Sequence, residues 1–215
     1  PLSDQMRYWG WGFLLVAALI AVLSGKLQPS EHLHTLGKSL PLNDAAKIIF
    51  AGFVPSSLFL GVTLHVTTDI ASLPLLWILP LALYLISFIL VFSSRGEAIT
   101  ALAQKLHPIA LLIALVGAMG ILSHWAILGS FLAFFIIAVS CHGQAMRLKP
   151  EANALTSYYF WLSFGGALGG LFNTIAPYLF NYVLEYPIVV LLSILVLPAK
   201  FNLTGSNRLP PKKAA

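Results

Sequence analysis

Apolar runs approaching the ~20 residues that a helix needs to cross hydrocarbon recur seven times along the chain. They cover about Tyr8–Leu23, Ala45–Val66, Leu73–Phe92, Pro108–Leu122, Trp125–Cys141, Leu155–Phe180 and Tyr186–Leu197. Water-facing surface is in short supply: 59% of residues are hydrophobic and 9% charged, against about 25% charged in soluble domains. Lipid is therefore the expected solvent. Pro55, Pro74 and Pro80 fall within or beside these runs, which membrane helices tolerate where neighbours satisfy the freed carbonyls. Trp9 and Trp11 stand at one end of the first run as interfacial anchors.

The connectors test the count. Gly25–Asp44 is polar, Arg95–Lys105 reads as a short surface helix or loop, and His142–Asn153 reads as a polar connector. Only Ser123 and His124 part the fourth and fifth runs, predicting a tight antiparallel hairpin. If the connectors alternate sides, the N-terminal side holds Arg7 alone. The other side holds Lys26, Lys38, Lys47, Arg95, Lys105, Arg147, Lys149, Lys200, Arg208, Lys212 and Lys213. Losing one span would scramble that separation. The expected fold is an all-α, polytopic transmembrane bundle of about seven spans over residues 1–201. The positive-inside rule puts the N-terminus outside and the C-terminus cytoplasmic. Residues 202–215 form a basic tail expected to be disordered.

The net charge of +5 is spread singly over loops and tail, without a basic stripe interleaved with aromatics, which excludes nucleic acid as the expected partner. Anionic lipid headgroups suit that pattern better. One cysteine, Cys141, allows no internal disulfide or thiolate cluster. The first run has no A-x-A-like cleavage site and is expected to be retained.

Three sets of residues stand out. His65, Thr68 and Asp69 end the second run, with His65 and Asp69 four apart and so on one face if the helix continues. Ionisable groups at membrane depth often mark solute or proton paths; the plainer reading is a capped helix end in the headgroup zone. Gly165, Gly166, Gly169 and Gly170 make two overlapping small-xxx-small pairs, a device for close helix approach within the chain or with a partner. Asn173, Pro177 and Asn181 continue that run as an irregular, hydrogen-bonded end. Finally, His65 with His124 and His107 with His142 could form axial pairs for a haem or chlorin. No other cofactor and no metal site is expected. Phosphate-loop, nucleophile-elbow and H-E-x-x-H motifs are all absent from the sequence.

Two segments carry a likeness. Phe53–Phe92 includes Pro55-Ser56-Ser57, Thr67-Thr68-Asp69 and Pro74-Leu75-Leu76-Trp77; Cys141–Phe180 includes Cys141-His142-Gly143 and the Gly165–Gly170 block. In this order they resemble the membrane region of bacterial spermidine synthase-like proteins, in which a transporter-like helical region is joined to an aminopropyltransferase-like domain. The chain departs from the family at Gln144, where an acidic residue is usual, and at Lys149, where arginine is usual. The resemblance implies a multi-pass protein of the bacterial inner membrane, with a cytoplasmic aminopropyltransferase-like partner domain. No Gly-rich nucleoside-binding motif occurs in this sequence, so the chain itself is expected to be non-catalytic. The expected function is a membrane subunit or scaffold of a larger complex, docking partner subunits through the glycine face of the sixth run. Its rivals are a transporter-like or small-molecule-binding bundle using His65, Thr68 and Asp69, and a haem- or chlorin-binding subunit.

Overall fold

The computed structural model describes residues 2–26, 40–69, 75–119, 125–180 and 185–197. They belong to two compact units, Pro1–Lys38 and Ser39–Ala215. The tail expected after residue 202, the hairpin expected at Ser123 and His124, and Asn181 lie outside the described residues. Among the described residues there are only helices, turns and short extended links. The α-helices are α1 (Leu2–Lys26), α2 (Leu42–Asp69), α3 (Ile78–Val91), α4 (Gly96–Ala118), α5 (Trp125–Arg147), α6 (Leu155–Leu179) and α7 (Glu185–Leu192), with 3-10 turns at Ala152–Ala154 and Ser193–Val196.

The first unit is α1, whose Trp9, Trp11, Phe13 and Leu15 are all exposed. An apolar helix exposed in this way suits lipid rather than water. By length and composition, four helices can cross a membrane: α1, α2, α4 and α5. At 25 residues α6 is long enough, but glycine, serine, threonine and asparagine dilute it. The α3 helix and the Glu185–Val196 segment are apolar but short.

In the second unit α2 lies at the centre, packed against α6, α5, α7 and α3. Its Val54, Leu58, Val62 and Val66 recur at helical spacing and are all but fully buried, meeting Phe134, Ile137 and Ala138 of α5 in one core. Pro55 sits inside α2. Pro80 falls in the first turn of α3, where a proline forfeits no intrahelical bond because the first N–H groups have no carbonyl to reach.

Two boundaries differ from the sequence reading. Arg95–Lys105 is no separate surface element: α4 runs unbroken from Gly96 through Pro108 to Ala118. Thr100, Ala103, Gln104 and His107 form a buried stripe on it, and Arg147 of α5 donates to Gln104 Oε1 at 3.0 Å. Packing against α5 outweighs the polar composition and the proline. Likewise α5 does not stop at Cys141 but continues to Arg147. His142, Gly143 and Ala145 are buried there, and a basic residue in the last turn complements the helix dipole.

Contact registers give the directions. Ile49, Phe53 and Ser57 of α2 meet Gly165, Gly169 and Asn173 of α6 in ascending order, so the two helices are parallel. Thr100 meets Gly143 while Ile113 meets Gly129, so α4 and α5 are antiparallel. Tyr158 donates to Ala145 O at 2.8 Å, just across the α5–α6 connection. The starts of α2, α4 and α6 therefore share one end with the finish of α5. Lys47, Arg95, Lys105, Arg147 and Lys149, the second unit's described basic residues, all fall in that half.

Candidate functional site

The α2 helix offers two adjacent serines to two different neighbours. Ser57 faces α6, where the Asn173 amide donates to Ser57 O at 3.1 Å, to Ser57 Oγ, and to Gly169 O at 3.0 Å. The carboxamide thus ties α6 to α2 within the apolar bundle. Asn173 is a cross-link inside a continuous helix rather than the irregular end expected for it.

Ser56 faces α3, with its Oγ 3.4 Å from the Tyr84 hydroxyl. Tyr84, Ser87 and Phe88 share one face of α3 by their spacing of three and four, and all three close on His142 of α5. Phe88 stacks on the imidazole with centroids 3.6 Å apart, and Tyr84 meets it edge-on at 5.0 Å. Ser87 Oγ lies 2.7 Å from His142 Nδ1 and 2.6 Å from the carbonyl of Tyr84.

Those two distances assign the tautomer. The carbonyl can only accept, so Ser87 spends its single hydroxyl proton there. The Ser87 oxygen must then accept from Nδ1–H, which leaves His142 Nε2 as the lone-pair acceptor. That atom is buried and has no partner among the described residues. The same device recurs at the junction of α4 with the last turn: Ser193 donates to Val190 O at 2.6 Å, and its oxygen lies 2.8 Å from His107 Nε2. His107 is therefore the Nε2–H tautomer, and its unpartnered Nδ1 is the acceptor.

Beside His142 is a cavity of about 190 Å³, lined by Gly52, Ser56, Tyr84, Phe88, His142, Leu162, Ser163 and Gly166. The lining combines aromatic and apolar walls with three hydroxyls and an imidazole, and it contains no formally charged side chain. Its volume corresponds to about six water-sized groups, below the roughly 300–1,000 Å³ of sites for drug-sized ligands. Ser56, His142 and Gly166 belong to three of the short motifs singled out in the sequence, and the fold brings all three to this one place.

The residues expected to form the His65 site are only partly seen. His65 is half-buried and its ring lies parallel to that of Tyr186, with centroids 6.0 Å apart. Thr68 and Asp69 occupy the last turn of α2, but their side chains lie outside the described residues. Next to Tyr186, Glu185 is buried at the start of α7.

The four glycines divide into two pairs. A Cβ on Gly169 would fall 2.6 Å from Phe53 O and 3.0 Å from Ser57 N, and one on Gly165 would collide with Ile49 O, so these two positions take the backbone of α2. Gly166 has only Ser56 Oγ at 3.2 Å, and Gly170 only Leu60 Cδ1 at 3.9 Å. The close-approach face is thus occupied from within the chain.

Of the histidines considered as tetrapyrrole ligands, His124 lies outside the described residues. His107 and His142 are fully enclosed, each held by its own serine, and the space beside His142 is far too small for a macrocycle. No group of three or more His, Cys, Asp or Glu side chains placed to hold a metal occurs among the described residues.

Tyr84, Ser87, Phe88, Ser163 and Ser193 escaped sequence reasoning. A Tyr, Ser and Phe at positions i, i+3 and i+4 inside an apolar run was the available signal for the α3 wall. No protein-family model, curated protein or solved structure matches the chain.

Proposed function

We propose that this chain is a non-catalytic, transporter-like membrane bundle that holds a small solute in the cavity between α2, α3, α5 and α6. The carrying observation is that cavity: Ser56, Tyr84, Ser163 and His142 converge on it from four apolar helices, where polar groups are costly to keep and commonly functional. Few convergent polar groups in an otherwise apolar concavity are what small-molecule sites use to orient a ligand. This reading moves the solute site of the transporter-like alternative from His65, Thr68 and Asp69 to the residues that line a space.

The proposal includes seven crossings of a bacterial inner membrane, with the N-terminus outside and the basic end of the bundle cytoplasmic. It also includes kinship with the membrane region of spermidine synthase-like proteins, whose cytoplasmic aminopropyltransferase-like domain would meet the basic end. The scaffold reading has less support, because Gly165 and Gly169 are filled by α2 and so leave a partner no close-approach face there.

Native mass measurement of the gently extracted full chain tests the proposal. The chain is expected to carry a small bound mass that Tyr84→Phe and Ser56→Ala weaken. A chain that is always bare, or that is found only with other subunits, would contradict the reading.

A further inference from the structure

Where the cavity opens bears on what it takes. Ser56 lies about 21 Å along α2 from Leu42, and Ser163 about 12 Å along α6 from Leu155, at 1.5 Å per residue. Tyr84 is likewise in the middle of α3, while Phe88 belongs to its last turn and His142 lies about 7.5 Å along α5 from Arg147. The three hydroxyls of the lining, on Ser56, Tyr84 and Ser163, thus lie well inside their helices.

The walls supplied by α3 and α6 do not pack along one another, since each is held instead by α2 and, for α3, by α5. The cavity is thus a cleft, with Gly52 and Ser56 of α2 and His142 of α5 as its floor. Ser163 on its α6 wall is exposed. The outer surfaces of the two wall helices are greasy: Leu85 and Ile89 on α3, Phe160 and Phe164 on α6, all exposed. A molecule dissolved in lipid reaches such a mouth directly, whereas one from water must first cross an apolar exterior.

The lining sets the head-group chemistry. With no Asp, Glu, Lys or Arg lining the cleft, an ion of either sign would lose its hydration without gaining a counter-charge. Hydroxyls on Ser56, Tyr84 and Ser163 can both donate and accept. The volume admits a head group of about six water-sized units, so a longer molecule must leave its remainder outside.

We propose that the cleft binds the uncharged, hydrogen-bonding head group of a lipid-soluble molecule. That molecule enters sideways from the bilayer between α3 and α6, while its hydrocarbon tail stays among the lipids. This inference rests on the cavity being a ligand site and adds the class and source of the ligand.

The test uses the full chain in phosphatidylcholine vesicles and three photoactivatable diazirine probes. These are a long-chain alcohol, the carboxylate of the same chain, and a short water-soluble alcohol. The long-chain alcohol is expected to label α3 and α6 saturably and to be displaced by unlabelled long-chain alcohol. Labelling by the carboxylate should be at least about tenfold weaker, as expected for an ion stripped of water.

Ser163→Phe, at an exposed rim position that leaves the packing untouched, should close the mouth and abolish most of the labelling. Ser56→Ala, at the floor, should weaken displacement about fivefold, the equivalent of one hydrogen bond. Equal labelling by the carboxylate, or labelling indifferent to both variants, overturns the proposal. Saturable labelling by the short alcohol alone also overturns it, while leaving the cavity a ligand site fed from water. If no probe labels saturably and the native chain is also bare, both readings fall together.

Discussion

The α2–α6 contact yields a prediction whose sign differs between two neighbouring glycines. At Gly169 an added methyl would fall 2.6 Å from Phe53 O and 3.0 Å from Ser57 N, both backbone atoms of α2. Relief to ordinary contact needs a displacement of about 1 Å, since neither atom can rotate away. That shift would stretch the Asn173 bond to Ser57 O from 3.1 Å beyond hydrogen-bonding range. Overpacking costs about 1–3 kcal/mol, and losing an interhelical bond adds about 0.6 kcal/mol or more. Set against the helix-propensity gain of about 0.5–1 kcal/mol that any Gly→Ala change brings inside a helix, Gly169→Ala should still destabilise the bundle by about 1–3 kcal/mol. At Gly170 the nearest atom is Leu60 Cδ1 at 3.9 Å, so its methyl has room. There the gain in helix propensity, about 0.5–1 kcal/mol, should leave Gly170→Ala neutral or slightly stabilised. Equilibrium unfolding of both variants in mixed micelles measures the difference. If Gly169→Ala were as stable as Gly170→Ala, the α2–α6 register described here would be wrong.

Two further substitutions probe the other contacts of the bundle. Ser87→Ala removes the hydrogen-bond partner of His142 Nδ1 and leaves that buried nitrogen unpaired; unfolding midpoints should report a loss of about 1–3 kcal/mol, and no loss would refute the Ser87–His142 bond. Gly143→Ala should destabilise the α4–α5 pair, because its methyl would collide with the methyl and hydroxyl of Thr100. Thr100→Ala in the same chain should recover much of that loss only if the two residues meet as described, which a double-mutant cycle reads as coupling.

Much of the architecture was legible because lipid makes a simple demand: each crossing segment must satisfy its own backbone, and long apolar runs do so as helices. Each of the seven runs overlaps an α-helix among the described residues, four of those helices being long and apolar enough to cross a membrane, and the basic residues described in the second unit gather in one half of it. The helix ends were harder to read. Arg95–Lys105 is polar enough to pass for a connector, yet Thr100, Gln104 and His107 are buried against neighbouring helices; only tertiary contact discloses that. Gly165 and Gly169 were recognisable as a close-approach pair, but which helix they receive was not, since any backbone fits a missing Cβ.

The cleft was the least legible part. Its polar groups come from positions 56, 84, 142 and 163, in four separate segments of the sequence. His65, Thr68 and Asp69 drew attention because they are clustered in sequence. By contrast, the site residues of α2, α3, α5 and α6 meet only through long-range packing. His142 did stand out, for another chemistry. Its Nδ1 is held by Ser87 and its ring by Phe88, while its Nε2 has no partner among the described residues.

Side-specific labelling tests most directly whether these helices thread a bilayer with their basic ends together. In a chain whose buried Cys141 has been replaced by alanine, single cysteines would be placed by Arg95→Cys, Met119→Cys and Lys149→Cys. These positions flank α4 at both of its ends and follow α5. In intact bacterial cells, a membrane-impermeant maleimide should modify only the Met119→Cys chain. The other two should react only after the membrane is opened. Labelling of the Arg95→Cys and Met119→Cys chains from the same side would contradict the account.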